Sequence, residues 1–212
     1  MLIRRLGAVC AVVGIALTIM VAVRWGPLLS LDESVTRSQT GFTDRHDHYF
    51  RAMRVVSTVF EPLTFHILGS LVAVAIAARR RLRLAGWVLL VTYGYLIGAG
   101  LKLLVRRRRP TLALEHVSGF SFPSGHAMSV TLAMIVLAVL VRRWWSVLPA
   151  VAIAGVTGWS RIALGVHYLS DVVGGAALAG LWAALLWPVL RPISFGHGRS
   201  ARGSAQLEGR AG

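Results

Sequence analysis

The chain has 212 residues, 56% of them hydrophobic, with a formal charge of +15 and a mean hydropathy of +0.67. Such hydropathy excludes an ordinary soluble domain. The absence of any aromatic-interleaved basic groove or nucleic-acid module argues against a nucleic-acid partner for the positive charge. A lone cysteine, Cys10, rules out an internal disulfide and a multi-cysteine metal site, and inside an apolar run it reads as a small core hydrophobe.

Six apolar runs follow in chain order, at 6–23, 55–78, 84–105, 126–141, 147–164 and 172–190. Most approach the ~20 residues that span a bilayer core, the fourth being short. Backbone groups in lipid must be satisfied within the segment, so the expected fold is an all-α, polytopic membrane bundle of about six helices. Gly94, Gly98 and Gly100 suit close helix approach rather than breakage. Arg4 and Arg5 precede the first run as they would in a secretory signal, but the run is long for one and no A-x-A site follows. It is read as a retained span. Residues 1–192 form the membrane domain, and the Gly-, Ser- and Arg-rich stretch 193–212 reads as a disordered cytoplasmic tail.

The connecting segments orient the bundle. With the N-terminus inside, the cytoplasmic pieces carry Arg4, Arg5, Arg79, Arg80, Arg81, Arg83, Arg142 and Arg143 without an acidic residue, as the positive-inside rule favours. The opposite segments, read as outer loops, hold Asp32, Glu33, Asp44, Asp47 and Glu115. Only Arg106 to Arg109 breaks the charge rule. Arginines flanking apolar runs also meet anionic lipid head groups, so membrane lipids are expected partners.

Three polar segments fall on that outer side: Lys102 to Pro110 (KLLVRRRRP), Pro123 to His126 (PSGH) and Ser160 to Asp171 (SRIALGVHYLSD). Lys102 is the chain's only lysine among 23 basic residues, which suggests a site needing a compact ammonium rather than a planar fork. Lys102 and Arg109 stand seven apart, about two turns, and share a cleft if the helix persists. Arg161 adds a guanidinium that can grip phosphate oxygens in pairs. Arg106 and Arg108 are read as solvated, and Arg107 is left open. Pro123 and Ser124 suit a helix start, and Gly125 lets backbone N–H groups approach an anion. His167 and Asp171 stand four apart, so a carboxylate on one ring nitrogen would leave the other free to attack phosphorus.

Together these segments match K-x6-R-P, P-S-G-H and S-R-x5-H-x3-D, and the chain resembles the lipid phosphate phosphatase superfamily, also called the type 2 phosphatidic acid phosphatase and haloperoxidase superfamily. That resemblance implies His167 as nucleophile, Asp171 as its orienting partner and His126 as general acid. Lys102, Arg109, Ser124, Gly125 and Arg161 would bind the phosphate, with no cofactor and no metal. The implied activity is hydrolysis of a lipid phosphate or diphosphate at the outer face of a bacterial inner membrane. An undecaprenyl-type isoprenoid diphosphate is the first choice, and phosphatidic acid or phosphatidylglycerol phosphate the runner-up. A vanadium haloperoxidase and a non-catalytic transporter or scaffold are the competing readings. The six apolar runs oppose the former and the complete motif set opposes the latter.

Other polar groups stay peripheral. Asp44 to His48 has metal-like composition but reads as a polar outer loop. Glu61 and His66 are ionisable groups within the second run, with functional and structural roles both open. Glu115 and His116 lie in the loop before PSGH, where they could shape substrate entry, though nothing in their spacing demands it.

Overall fold

The computed structural model describes residues 2–190; the expected tail at 193–212 lies outside the described residues. Nine helices follow one another among the described residues: α1 (Leu2–Ala22), α2 (Gly26–Asp44), α3 (Asp47–Val59), α4 (Pro62–Ala78), α5 (Leu82–Thr92), α6 (Tyr95–Val105), α7 (Gly125–Val141), α8 (Val147–Ala163) and α9 (Leu169–Leu186). Short 3-10 turns occupy Trp144–Ser146 and Trp187–Leu190, and no strand occurs among the described residues. Among the described residues, five stretches are long and apolar enough to cross a membrane: Ile3–Ala22, Asp47–Ala78, Leu82–Val105, Trp144–Ala163 and Leu169–Leu190. Gly125–Val141 is a shorter apolar helix. The chain is a multi-span, all-helical membrane protein.

Two spans are broken, one for a local reason and one through a distant contact. Glu61 precedes Pro62, which disfavours helical backbone at the residue before it, and ψ there is 139°. The second break corrects the expectation for Gly94, which sits where α5 stops and α6 begins. A Cβ on Gly94 would lie 2.3 Å from the Trp182 ring, so only glycine admits that indole. Trp182 Nε1 then donates to the Leu90 carbonyl at 2.8 Å, satisfying an acceptor freed by the break.

The larger correction is α2. Its residues were read as an outer loop, but they form a helix whose buried positions are Asp32, Thr36, Thr40 and Thr43. Their spacing of four, four and three is a helical stripe that happens to be polar. Mean hydropathy hides such a helix. It lies against α8 and α9 and brings Asp32 inside the bundle.

Packing fixes direction. Gly7 faces Ala184, Gly14 faces Leu178, and Gly180 faces Cys10, so α1 and α9 run antiparallel in close contact. The opposite face of α1 exposes Leu6, Val9, Val12, Ile15 and Ile19, as a lipid-facing helix should. α7 packs between α8 and α9, and Trp87, Val88, Val91, Met128, Leu132 and Ala179 form the apolar core. The C-termini of α6 and α8 and the N-termini of α7 and α9 therefore meet at one end. Arg79 to Arg83, Arg142 and Arg143 lie at the other.

Candidate active site

Each motif is held by a change of backbone direction. α6 ends because Arg106 adopts the left-handed region at φ 50°, and Arg106 N closes the turn on the Lys102 carbonyl at 3.0 Å. The helix does not persist to Arg109, so the condition of two continuous turns from Lys102 is not met. Arg109 instead reaches the site from an extended segment, and Pro110 behind it is buried. Arg106 and Arg108 are exposed.

Ser124 caps α7, its Oγ accepting from Ala127 N at 3.4 Å. Its own N–H donates to the Asp171 carbonyl at 2.9 Å, joining the second segment to the third. Two glycines of α9 permit this approach. A Cβ on Gly174 would lie 2.7 Å from the Phe122 ring, and one on Gly175 would lie 2.7 Å from the Ser124 carbonyl oxygen. The first contact would force the Phe122 ring aside, and the second cannot exist without displacing backbone.

His167 lies just before α9 and is 2% exposed, while Asp171 is fully buried in the first turn. Asp171 Oδ2 accepts from Tyr168 N at 2.9 Å and stands 3.4 Å from His167 Nδ1. That separation is long for a hydrogen bond, and Nδ1 has no closer partner. On the other side of the ring, Arg109 Nη1 lies 3.2 Å from Nε2. A guanidinium can only donate, so Nε2 is the accepting nitrogen and the ring proton sits on Nδ1, toward Asp171. Burial pushes the His167 pKa down to about 4, with Asp171 opposing the shift. The imidazole is therefore neutral at physiological pH.

Cations surround this ring. Arg109 also donates to the carbonyls of Val166 (2.8 Å), Gly119 (3.1 Å) and Ser118 (3.3 Å), which hold its fork in place. Lys102 Nζ donates to the Phe120 carbonyl at 2.8 Å and approaches that of Ser121 at 3.4 Å. Arg161 is buried, donates through Nη1 to Ser57 Oγ of α3, and has no partner at Nε. His126, in the first turn of α7, lies within electrostatic range of Arg161, His167 and Arg109. The structure thus gathers Lys102, Arg109, Ser124, Gly125, His126, Arg161, His167 and Asp171 at one end of the bundle.

Behind Asp171 lies a layer that the sequence reading missed. Arg107 Nη1 donates to Asp171 Oδ1 at 2.8 Å and to Ser170 Oγ at 2.7 Å. Its Nη2 pairs with Asp32 Oδ2 at 2.7 Å, and its guanidinium stacks 4.0 Å from the Tyr168 ring centre. Asp32 in turn accepts from Ser170 N at 2.9 Å and Ser170 Oγ at 2.5 Å. Breaking such a buried pair by removing one partner costs roughly 3–5 kcal/mol. The polar stripe of α2 was the one available signal for Asp32.

The peripheral groups sit elsewhere. His66 stacks on Tyr95 with ring centres 3.8 Å apart and faces Ser129 Oγ at 3.3 Å, above an apolar groove of about 200 Å³. Glu61 is exposed. His46 turns back onto α2, its Nδ1 2.7 Å from the Phe42 carbonyl. Among the described residues no three His, Cys, Asp or Glu side chains converge as a metal site. Glu115 pairs with Arg54 at 3.2 Å, and with His116 it lines a cleft of about 360 Å³ beside Arg109.

Comparison with known proteins places this geometry. The chain is 37% identical over 105 residues to phosphatidylglycerophosphatase B of Bacillus subtilis, an alignment covering 44% of this chain and 52% of that one. The matched part is thus about half of that relative's length. It is 39% identical over 126 residues to decaprenylphosphoryl-5-phosphoribose phosphatase of Mycobacterium tuberculosis, covering 57% of this chain and 68% of the relative. The fold matches a crystal structure of a transmembrane PAP2-type phosphatidylglycerolphosphate phosphatase from Bacillus subtilis with a TM-score of 0.68. That likeness covers 84% of this chain and 95% of the other, at 24% sequence identity, and speaks for the fold alone. Residues 81–194 match the profile of the PAP2 superfamily, to which the chain belongs.

Proposed function

We propose that this protein is a membrane phosphatase that hydrolyses a lipid phosphate or diphosphate through a phosphohistidine at His167. One observation carries the reading: the imidazole stands between a carboxylate at Nδ1 and a guanidinium at Nε2. The Nε2 lone pair, which accepts from Arg109, is thereby aimed at the place where Arg109 would hold a phosphate oxygen.

Catalysis follows from these positions. Lys102, Arg109 and Arg161 neutralise the phosphate and the charge that develops on it, without reorganising during reaction. Nε2 of His167 attacks phosphorus as the bond to the leaving oxygen breaks, and His126 gives that oxygen a proton. Asp171 stabilises the imidazolium so formed. Water, deprotonated by His126, then cleaves the phosphorus–nitrogen bond and releases inorganic phosphate. With a diphosphate, the terminal phosphoryl group transfers and the lipid monophosphate departs.

The preferred substrate is an isoprenoid-borne phosphate, foremost an undecaprenyl-type diphosphate. The likeness to a decaprenylphosphoryl-5-phosphoribose phosphatase supports an isoprenoid carrier. The likeness to phosphatidylglycerophosphatase B favours phosphatidylglycerol phosphate as the second reading. The arginines gathered at the end away from the site orient that end to the cytoplasm and the site outward, at a bacterial inner membrane.

Phosphate release by the purified protein from undecaprenyl diphosphate, decaprenylphosphoryl-5-phosphoribose, phosphatidylglycerol phosphate and phosphatidic acid tests the reading. It expects turnover, fastest on an isoprenoid lipid. No turnover on any of the four would contradict it.

A further inference from the structure

Asp171 is not the end of the polar chain behind His167. Two carboxylates, Asp32 and Asp171, flank the single guanidinium of Arg107, and their three charges leave one net negative charge. Both carboxylates are fully buried, and the Arg107 side chain is 9% exposed. Water cannot rescue an imbalance there, so charge count matters more than at a surface.

Arg107 alone would neutralise Asp171 and weaken it as the counter-charge for an imidazolium. Asp32 offsets this by taking the other arm of the same guanidinium, 2.7 Å from Nη2. Ser170 ties the three together, donating to Asp32 and accepting from Arg107. Asp32 also accepts from Ser170 N, which anchors the first turn of α9, where Asp171 sits. We propose that Asp32 and Arg107 are positioning residues that keep one net negative charge on the Asp171 side of His167 and so sustain its attack on phosphorus. The inference rests on the phosphohistidine reading above.

The groups facing His167 are Asp171 from α9, Lys102 from α6, Arg109 from the segment after α6 and His126 from α7. Among these only Asp171 is negative. Changing the charge behind it must therefore shift the imidazole's titration in a direction set by sign. Asp32→Asn leaves Asp171 fully offset, and the titration moves down. Arg107→Gln leaves two carboxylates, and it moves up. Asp32→Asn with Arg107→Gln restores one net negative charge.

The test is histidine NMR titration of the full chain in detergent micelles, beside kcat and KM on undecaprenyl diphosphate and phosphatidylglycerol phosphate. The expected result is opposite shifts of at least about one pH unit in the two single variants, and return toward wild type in the double. Asp32→Asn should lower kcat about tenfold or more with KM changed less than about threefold, and the double variant should recover part of that kcat. Shifts of one sign in both singles, no shift in either, or a double variant no better than the worse single would overturn the proposal. If Asp32→Asn does not fold, Arg107→Gln and the double variant still decide it, because an unchanged His167 titration in Arg107→Gln contradicts the charge argument. Failure of the wild type to hydrolyse any of the four lipids named above would instead strike the phosphatase reading, leaving the titration to judge the charge chain.

Discussion

Arg109 and His167 share one contact, 3.2 Å from Nη1 to Nε2, and it decides which imidazole nitrogen can attack. The guanidinium has no lone pair to offer, so Nε2 keeps its own and Nδ1 keeps the proton. The group that would bind phosphate therefore also selects the tautomer that would attack it in the proposed mechanism. In the free enzyme the contact holds Nε2 in the direction a phosphorus atom would occupy.

That tautomer has a pH consequence. Burial holds the His167 pKa near 4 instead of the ordinary 6.5, so the neutral ring persists as pH falls through the usual histidine range. The acid limb of kcat/KM that belongs to His167 should lie near pH 4, falling about tenfold per pH unit below it. A pH profile on a substrate whose own phosphate ionisation has been measured separately checks this. An acid limb at 6.5 assigned to His167 would contradict it.

Lys102 gives a second expectation. Its ammonium reaches the Phe120 carbonyl at 2.8 Å from near the end of α6, a distance suited to a point donor. Lys102→Arg keeps the charge but sets a planar fork further out. Turnover should fall at least about tenfold, or roughly 1.4 kcal/mol of transition-state stabilisation. A wild-type rate on all four lipids would remove Lys102 from the phosphate site.

A third prediction tests the packing that joins the motifs. Gly175→Ala sets a methyl group 2.7 Å from the Ser124 carbonyl, and backbone must move to admit it. The cost should be about 1–3 kcal/mol of stability, with activity lost because Ser124 shifts. Gly155→Ala in α8 meets nothing within 4 Å and serves as the tolerated comparison. Thermal unfolding in the same detergent, with phosphate release alongside, separates the two. Equal behaviour would mean that the contact between α9 and Ser124 does not matter.

The proposed mechanism draws its positive charge from Lys102, Arg109 and Arg161 and requires no metal. Activity should survive EDTA, and vanadate should inhibit by adopting the five-coordinate geometry of the transition state. Loss of activity on chelation with recovery in magnesium would redirect attention to Asp44 to His48.

Much of the site was legible because its chemistry is packed into short segments of fixed spacing. Lys102 to Pro110, Pro123 to His126 and Ser160 to Asp171 each carry their residues locally, and antiparallel spans return all three to one end. The layer behind them was not legible. Asp32 meets Arg107 across 75 residues, and no local spacing records such a pair. α2 escaped because its buried face is Asp and Thr instead of apolar, so hydropathy read it as a loop. Gly94 escaped for a similar reason: the break there depends on Trp182, which lies far along the chain.

The most direct test of the central claim is to trap the phosphorylated enzyme. Purified wild-type protein would be quenched during turnover of terminally labelled undecaprenyl diphosphate or headgroup-labelled phosphatidylglycerol phosphate, then digested and mapped. Acid-labile, base-stable phosphate is expected on the peptide carrying His167, with its loss in His167→Ala together with turnover, and its build-up in His126→Ala if release of the phosphoryl group is slowed. Full turnover by His167→Ala, or label on another residue, would contradict it.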